Sequence, residues 1–146
     1  MVDIHCHILP GLDDGSDNIE ESVRMARLAA DGGTKAIIVT PHSNIPDSFQ
    51  NYCGEQYVEA FTRLESRLKK ENIPLRIYPG HEIFASGDIV SLIKERKLFT
   101  LCNSDYLLIE FAFRESPETA YRKLRELVSE GFVPVVAHPE RYAFVA

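Results

Sequence analysis

All five histidines of the chain stand at the ends of short apolar runs. His5 and His7 close the run that begins at Val2, and His42 follows Ile37-Ile38-Val39-Thr40-Pro41. His81 follows Ile77-Tyr78-Pro79-Gly80, and His138 follows Val133-Pro134-Val135-Val136-Ala137. Two carboxylates share the placement, Glu82 beside His81 and Glu110 between Ile109 and Phe111. Imidazole and carboxylate without thiolate suit Zn²⁺, Mn²⁺ or Fe²⁺ better than they suit a structural zinc finger. Residues i and i+2 of a strand face the same way, so His5 and His7 can reach one cation while Cys6 points away. His-x-His alone is also compatible with two ordinary polar residues. The metal reading comes from finding His42, Glu82, Glu110 and His138 at matching run ends.

Each position has a plainer alternative. His42 after Thr-Pro could bond backbone in a turn. Glu110 lies in an apolar run, where a carboxylate is costly to bury unless paired or coordinated. Of the neighbours His81 and Glu82 we assign Glu82 as ligand, because a carboxylate can bridge two ions; His81 then falls to a supporting or surface position. Asp13 and Asp14 precede Gly15 in a loop of turn formers and read equally as turn residues or ligands. Arg141 could form a surface salt bridge, or bind phosphate through its guanidinium fork. Cys6, Cys53 and Cys102 are widely spaced, with no Cys-x-x-Cys, and read as reduced thiols. Neither Cys6 nor Cys53 has an activating neighbour, so a thiol nucleophile is not expected.

These positions must be brought together by the elements between them. Strands are expected at Val2–Cys6, Lys35–Thr40, Leu75–Tyr78, Tyr106–Phe111 and Val133–Ala137. The second is a continuous β-branched run, of the kind buried on both faces of a parallel sheet. Asp17 with Glu20 reads as a capping box opening a helix over about Asn18–Ala30, with Ile19, Val23, Ala26, Leu28 and Ala30 on its apolar face. A longer helix is expected over about Gly54–Glu71, with Val58, Phe61, Leu64 and Leu68 on one side. A short one is expected at Asp88–Glu95, and another from Ser116-Pro117 to Glu130, stopped by Gly131. Five strands separated by helical segments indicate an α/β fold with a mostly parallel sheet, open or barrel-like. In such folds side chains at the C-terminal strand ends form the active site.

The 146 residues suffice for one domain. With 45% hydrophobic and 26% charged residues, disorder, collagen-like repeats and a disulfide scaffold are excluded. The formal net charge of −6 disfavours broad nucleic-acid contact, so an anionic substrate needs local cations. No apolar stretch approaches the ~20 residues of a membrane span, and no basic region followed by an apolar run opens the chain. A cytoplasmic protein without membrane insertion is the expectation.

Residues 1–15, Met-Val-Asp-Ile-His-Cys-His-Ile-Leu-Pro-Gly-Leu-Asp-Asp-Gly, resemble the opening motif of the polymerase-and-histidinol-phosphatase (PHP) superfamily. More narrowly, they resemble the bacterial protein-tyrosine phosphatases of capsule and exopolysaccharide operons (CpsB/CapC-like). Thr40-Pro41-His42, Gly80-His81-Glu82-Ile83, Leu108-Ile109-Glu110-Phe111 and His138-Pro139-Glu140-Arg141-Tyr142 match later motifs of that subfamily in order. The resemblance implies a distorted (β/α)7 barrel, with residues 1–146 as the N-terminal part of a single PHP domain and about five parallel strands present. It implies up to three divalent ions, usually Mn²⁺, with Fe or Zn as alternatives. His5, His7 and Glu82 would hold one; Glu82, Glu110 and His138 a second; Asp14 and His42 would belong to a third. Arg141 would meet the phosphate. The implied activity is metal-dependent hydrolysis of phosphotyrosine on a protein, such as a bacterial tyrosine kinase regulating capsule or exopolysaccharide synthesis. A histidinol-phosphatase-like small-molecule enzyme and a non-catalytic metal-binding module are the alternatives; an exonuclease-type PHP domain is disfavoured by the charge. The subfamily pattern continues with an Asp-x-His pair and a further arginine that these 146 residues do not contain, so an incomplete metal shell is expected.

Overall fold

The structure is a computed structural model and describes residues 1–145. Its strands are β1 (Val2–Cys6), β2 (Ala36–Val39), β3 (His42–Ser43), β4 (Arg76–Tyr78), β5 (Glu82–Phe84), β6 (Tyr106–Glu110) and β7 (Val133–Val136). The α-helices are α1 (Ile19–Asp31), α2 (Glu55–Lys70), α3 (Ile89–Lys94) and α4 (Pro117–Ser129). One sheet has the order β1-β2-β4 and the other β3-β5-β6-β7, and every pairing is parallel.

Each of the five expected runs contains a strand. Two further short strands, β3 and β5, carry His42 and Glu82. They lie beyond breaks at Thr40-Pro41 and at Pro79-Gly80-His81. Proline has no N–H to give to a ladder, so the chain leaves the first sheet at each break and re-pairs in the second. Gly80 is needed at its break: a Cβ there would lie 2.7 Å from Ile38 Cγ2 and 3.2 Å from the Val39 carbonyl oxygen. The buried Tyr57 hydroxyl fills the polar demand by donating to the Gly80 carbonyl and accepting from its N–H.

The strands alternate faces as their period requires. Ile37, Val39 and Ile77 pack outward with Val23 and Ala26 of α1 and Leu64 and Leu68 of α2. Leu107 and Ile109 pack against Ile89 of α3 and Leu127 of α4. Ile38, Leu108 and Ala137 form a third cluster on the opposite face. That face turns polar at its C-terminal end: Leu108 is in register with Glu82, Glu82 with His42, and Glu110 lies two residues beyond Leu108. An apolar layer therefore supports a layer of ligand-type side chains.

Some local expectations need correction. The α1 cap is Asn18, whose side chain accepts from the Glu21 N–H, while Glu21 accepts from the Asp17 N–H. The box is shifted by one residue, because Asn18 itself takes the extended cap conformation. Leu28 is 73% exposed, and the buried face of α1 is Ile19, Ser22, Val23 and Ala26. In α2 the buried face is Tyr57, Ala60, Leu64 and Leu68, and Val58 points to solvent. Tyr57 wins over Val58 because its hydroxyl is required at Gly80. Ser116 caps α4 through the Thr119 N–H, as its position before Pro117 suggested.

Candidate metal centre

β1 brings His5 and His7 to one side, with Nε2 atoms 3.1 Å apart, while Cys6 packs toward the core between the sheet and α1 and α2. Burial, helped by Asp3 and Asp13, pushes the Cys6 thiol up to about 12, which removes it as a nucleophile at neutral pH. The chain then loops back across His7. The Ser16 N–H donates to the His7 carbonyl, and a Cβ on Gly15 would lie 2.2 Å from that oxygen and 2.4 Å from His7 Cβ. Only glycine lets the loop pass so close, and the pass is what delivers Asp13 and Asp14.

Glu82 is fully buried at the middle of the cluster. Its Oε2 lies 3.1 Å from His5 Nε2, 3.0 Å from His7 Nε2 and 3.2 Å from His42 Nδ1. Its Oε1 lies 2.9 Å from His138 Nε2. Glu110 Oε1 is 2.8 Å from His42 Nδ1, and Glu110 Oε2 is 3.8 Å from His138 Nε2. Asp14 is exposed, with Oδ1 3.4 Å from His42 Nε2. All seven residues expected as ligands thus share one end of the fold. Arg141 is exposed and lines the same open pocket as His5, His7, Asp14, His42 and His138.

Three groups each present ligand atoms within 4.8 Å of one another: His5, His7 and Glu82; His7, Asp14 and His42; and His42, Glu82 and Glu110. The first matches the expected first ion. The second adds His7 to Asp14 and His42. The third has His42 where His138 was expected, with His138 against both of its carboxylates. The donor set fits divalent cations on a further observation. Neither oxygen of the buried Glu82 carboxylate has a hydrogen bond of ordinary geometry, although imidazole nitrogens crowd both. Such a group is costly unless something positive completes it. Separations of about 3 Å are also the spacing of neighbouring ligands around an ion with bonds near 2.1 Å.

Burial works against a charged carboxylate at Glu82, but His5 and His7 outweigh it and hold the group below the usual carboxylate range. Burial also works against a charged His7 ring, yet the bond to Asp13 and the carboxylate of Glu82 close by lift it to about 10. His42 is raised in the same way, against its burial, by Glu110 and Glu82.

Several residues that position the site were not assigned from sequence. Asp13 is one: Oδ2 lies 2.7 Å from His7 Nδ1 and accepts the His42 N–H at 2.7 Å, while Oδ1 accepts from the Gly15 N–H. Binding His7 through Nδ1 leaves Nε2 facing Glu82, the usual way a ligand histidine is oriented by an outer carboxylate. The adjacent Asp-Asp pair offered no means of separating this role from that of Asp14. His81 takes the supporting position: it is fully buried, its Nδ1 accepts the Phe99 N–H, and its ring stacks with Phe99. Burial lowers its pKa to about 4, keeping it neutral. His138 has a left-handed backbone, φ 30 and ψ 58, immediately before Pro139. That is a costly conformation for a non-glycine residue and one found at functional sites.

Fold and site together define a parallel α/β protein with a cluster of histidines and carboxylates that could hold cations at its C-terminal strand ends. Comparison with known proteins gives the family. The model described as "Capsular polysaccharide synthesis, CpsB/CapC" matches residues 1–146, and the chain belongs to this family. It is 42% identical over 141 residues to tyrosine-protein phosphatase YwqE of Bacillus subtilis (strain 168), covering 97% of this chain and 55% of the relative. It is 33% identical over 141 residues to the putative tyrosine-protein phosphatase CapC of Staphylococcus aureus, covering 97% and 54%. A solved structure described with YwqE from Bacillus subtilis and CpsB from Streptococcus pneumoniae, "unique metal-dependent tyrosine phosphatases", matches with a TM-score of 0.90 and 41% identity. That match covers 99% of this chain and 58% of the solved one. The chain thus spans a little over half the length of the relatives it matches. Among the described residues, no helix is long and apolar enough to cross a membrane.

Proposed function

We propose that residues 1–146 are the N-terminal part of a PHP-type barrel domain, and that the domain is a metal-dependent protein-tyrosine phosphatase. The observation that carries the reading is the convergence of His5, His7, His42 and His138 on the buried Glu82 carboxylate, with Glu110 against His42. The family and the names of the relatives support the substrate, phosphotyrosine on a protein; the proposal adds a tyrosine kinase of capsule or exopolysaccharide synthesis as the partner and the cytoplasm as the place. Mn²⁺ is the proposed ion, as the family resemblance implies; a set of imidazoles and carboxylates without thiolate suits it, as it suits Fe²⁺ or Zn²⁺.

His5, His7 and Glu82 would hold one cation; Glu82, Glu110 and His138, with His42 beside them, a second; and Asp14 and His42, with His7, a third. Bound cations supply Lewis-acid polarisation of the phosphoryl group and acidify water at neutral pH. The remaining work falls to the chain. Glu82 joins the groups and brings negative charge to offset the repulsion between neighbouring cations. Asp13 keeps His7 turned inward. Arg141, exposed at the pocket mouth, clamps phosphate oxygens with its planar fork, where phosphoryl transfer needs charge stabilisation. The net charge of −6 is no obstacle, because the positive charge is local.

The test is turnover of a phosphotyrosyl peptide and of histidinol phosphate by the intact protein, with and without EDTA. The expected result is peptide turnover that is lost in EDTA and in His5→Ala and restored by Mn²⁺ only in the parent. Turnover surviving EDTA would contradict the metal reading, and preference for histidinol phosphate would contradict the substrate.

A further inference from the structure

We propose that Asn51 is a positioning residue for the outer cation group, the one formed by His7, Asp14 and His42. The inference rests on the metal reading above. The Asn51 side-chain nitrogen donates to two backbone carbonyls, that of Leu12 at 2.8 Å and that of His42 at 2.9 Å. Both of its N–H groups are thereby used, and two acceptors at one end fix which way the amide points. Leu12 immediately precedes Asp13 and Asp14. One side chain therefore fastens the loop that supplies Asp14 to the strand that supplies His42. Asp13 makes the parallel tie from below, through the His42 N–H.

The anchor is itself held. Asn51 has φ 36, a left-handed conformation that asparagine tolerates better than most residues. The segment leading to it folds back on β3: the Asn44 N–H donates to the Gln50 carbonyl, the Ile45 N–H to that of Phe49, and the Ser43 hydroxyl to that of Gln50. Asn44 in turn donates to the carbonyl of Phe84, at the end of β5, and to that of Ser86 just beyond it. The loop from 42 to 51 is thus pinned at both ends. The Asn51 amide and Asp13 thus tie together the backbones that carry Asp14 and His42, whose Oδ1 and Nε2 lie 3.4 Å apart.

Asn51→Asp keeps the shape and replaces the two donors by acceptors facing two carbonyls. Asn51→Ala removes the donors without the repulsion. Outer partners of metal ligands typically change affinity by about 10–100-fold. Binding of Mn²⁺ to the metal-stripped intact protein is measured by equilibrium dialysis and calorimetry, for each variant alone and combined with Asp14→Ala, with His5→Ala as the reference for a different group.

The expected result is a loss of about tenfold or more confined to the binding class that Asp14→Ala also removes. Neither Asn51 variant should add a further loss on the Asp14→Ala background, since groups acting through one contact are not additive. The His5-dependent class should stay within twofold of the parent. Three results overturn the proposal: parent-like binding by both variants, equal weakening of all classes, or full additivity with Asp14→Ala. If Asn51→Asp does not fold, Asn51→Ala alone decides by the same comparison. A parent protein that binds no Mn²⁺ overturns the metal reading itself, and is told apart because it fails before any substitution.

Discussion

Gly15→Ala tests whether the loop over His7 builds the site. An added Cβ would stand 2.2 Å from the His7 carbonyl oxygen, 2.4 Å from its Cβ and 3.0 Å from its carbonyl carbon. Ordinary carbon contacts begin near 3.5 Å, so the loop and the end of β1 must part by roughly 1 Å. None of the atoms struck is the far end of a flexible side chain. A 1 Å shift opens the 2.7 Å His7–Asp13 contact past hydrogen-bond range. Overpacking costs about 1–3 kcal/mol, and a hydrogen bond to a charged group about 1.5–3 kcal/mol. A loss of about 3 kcal/mol is expected. At about 2.1 cal/mol/K per residue, a cooperative unit of at least these 146 residues has an unfolding entropy of about 0.3 kcal/mol/K or more, which makes this at most about 10 °C in Tm. Calorimetric melting of the metal-stripped protein reads the stability, and Mn²⁺ titration should show binding weakened about 10–100-fold. Gly32→Ala is the control: Gly32 has φ −72 and ψ 0 at the end of α1, and its nearest contact, 3.3 Å, is a helix carbonyl. It should be neutral, or stabilise by a few tenths of a kcal/mol. A Gly15→Ala protein that melts within 1 °C of the parent and binds Mn²⁺ equally would refute the argument.

Four further outcomes follow from the same geometry. In the metal-free fold His7 is raised to about 10, so it carries its proton at pH 7 and a cation must displace it; calorimetry in buffers of different ionisation enthalpy should show release of at least one proton, with affinity rising from pH 6 to 9. By the same linkage, the stability His7 gives the metal-free protein is complete below its unfolded pKa of about 6.5 and is lost as pH rises through 10, so the Tm of the stripped protein should fall over that window. Asp13→Asn keeps the shape but removes the charge beside His7 Nδ1; Mn²⁺ affinity should drop about 10–100-fold with the ligands untouched, and an unchanged affinity would show that Asp13 does not orient His7. Arg141→Ala should leave metal content unchanged and lower kcat/KM on phosphotyrosyl peptide by about 10²-fold or more, since the side chain is exposed and faces the pocket rather than the ligands.

The α/β class and the gathering of histidines at strand ends were legible because both follow from local pattern. Parallel strands advertise themselves as β-branched runs, and side chains at their C-terminal ends must share one edge. His5 and His7 could be placed together from a two-residue spacing alone. What could not be read were decisions made by distant contacts. Tyr57 rather than Val58 turns inward because a hydroxyl is needed at Gly80, 23 residues away. The splitting of two strands at Pro41 and Pro79 reflects the move from one sheet to the other, which no single run encodes. Asp13 and Asp14 differ in role only because Gly15 lets the loop pass over His7. Asn51 lies in a polar loop with no motif, and its importance rests on two carbonyls at 39 and 9 residues' separation.

The proposed cation centre turns on one buried carboxylate, Glu82. Elemental analysis of the intact protein, purified without chelator, measures it directly when the parent is set beside Glu82→Gln, which keeps the shape and removes the charge. The account predicts stoichiometric divalent metal in the parent and loss of at least one ion in the variant. A parent without metal that still hydrolyses phosphotyrosine, or a Glu82→Gln protein with the full complement, would contradict it.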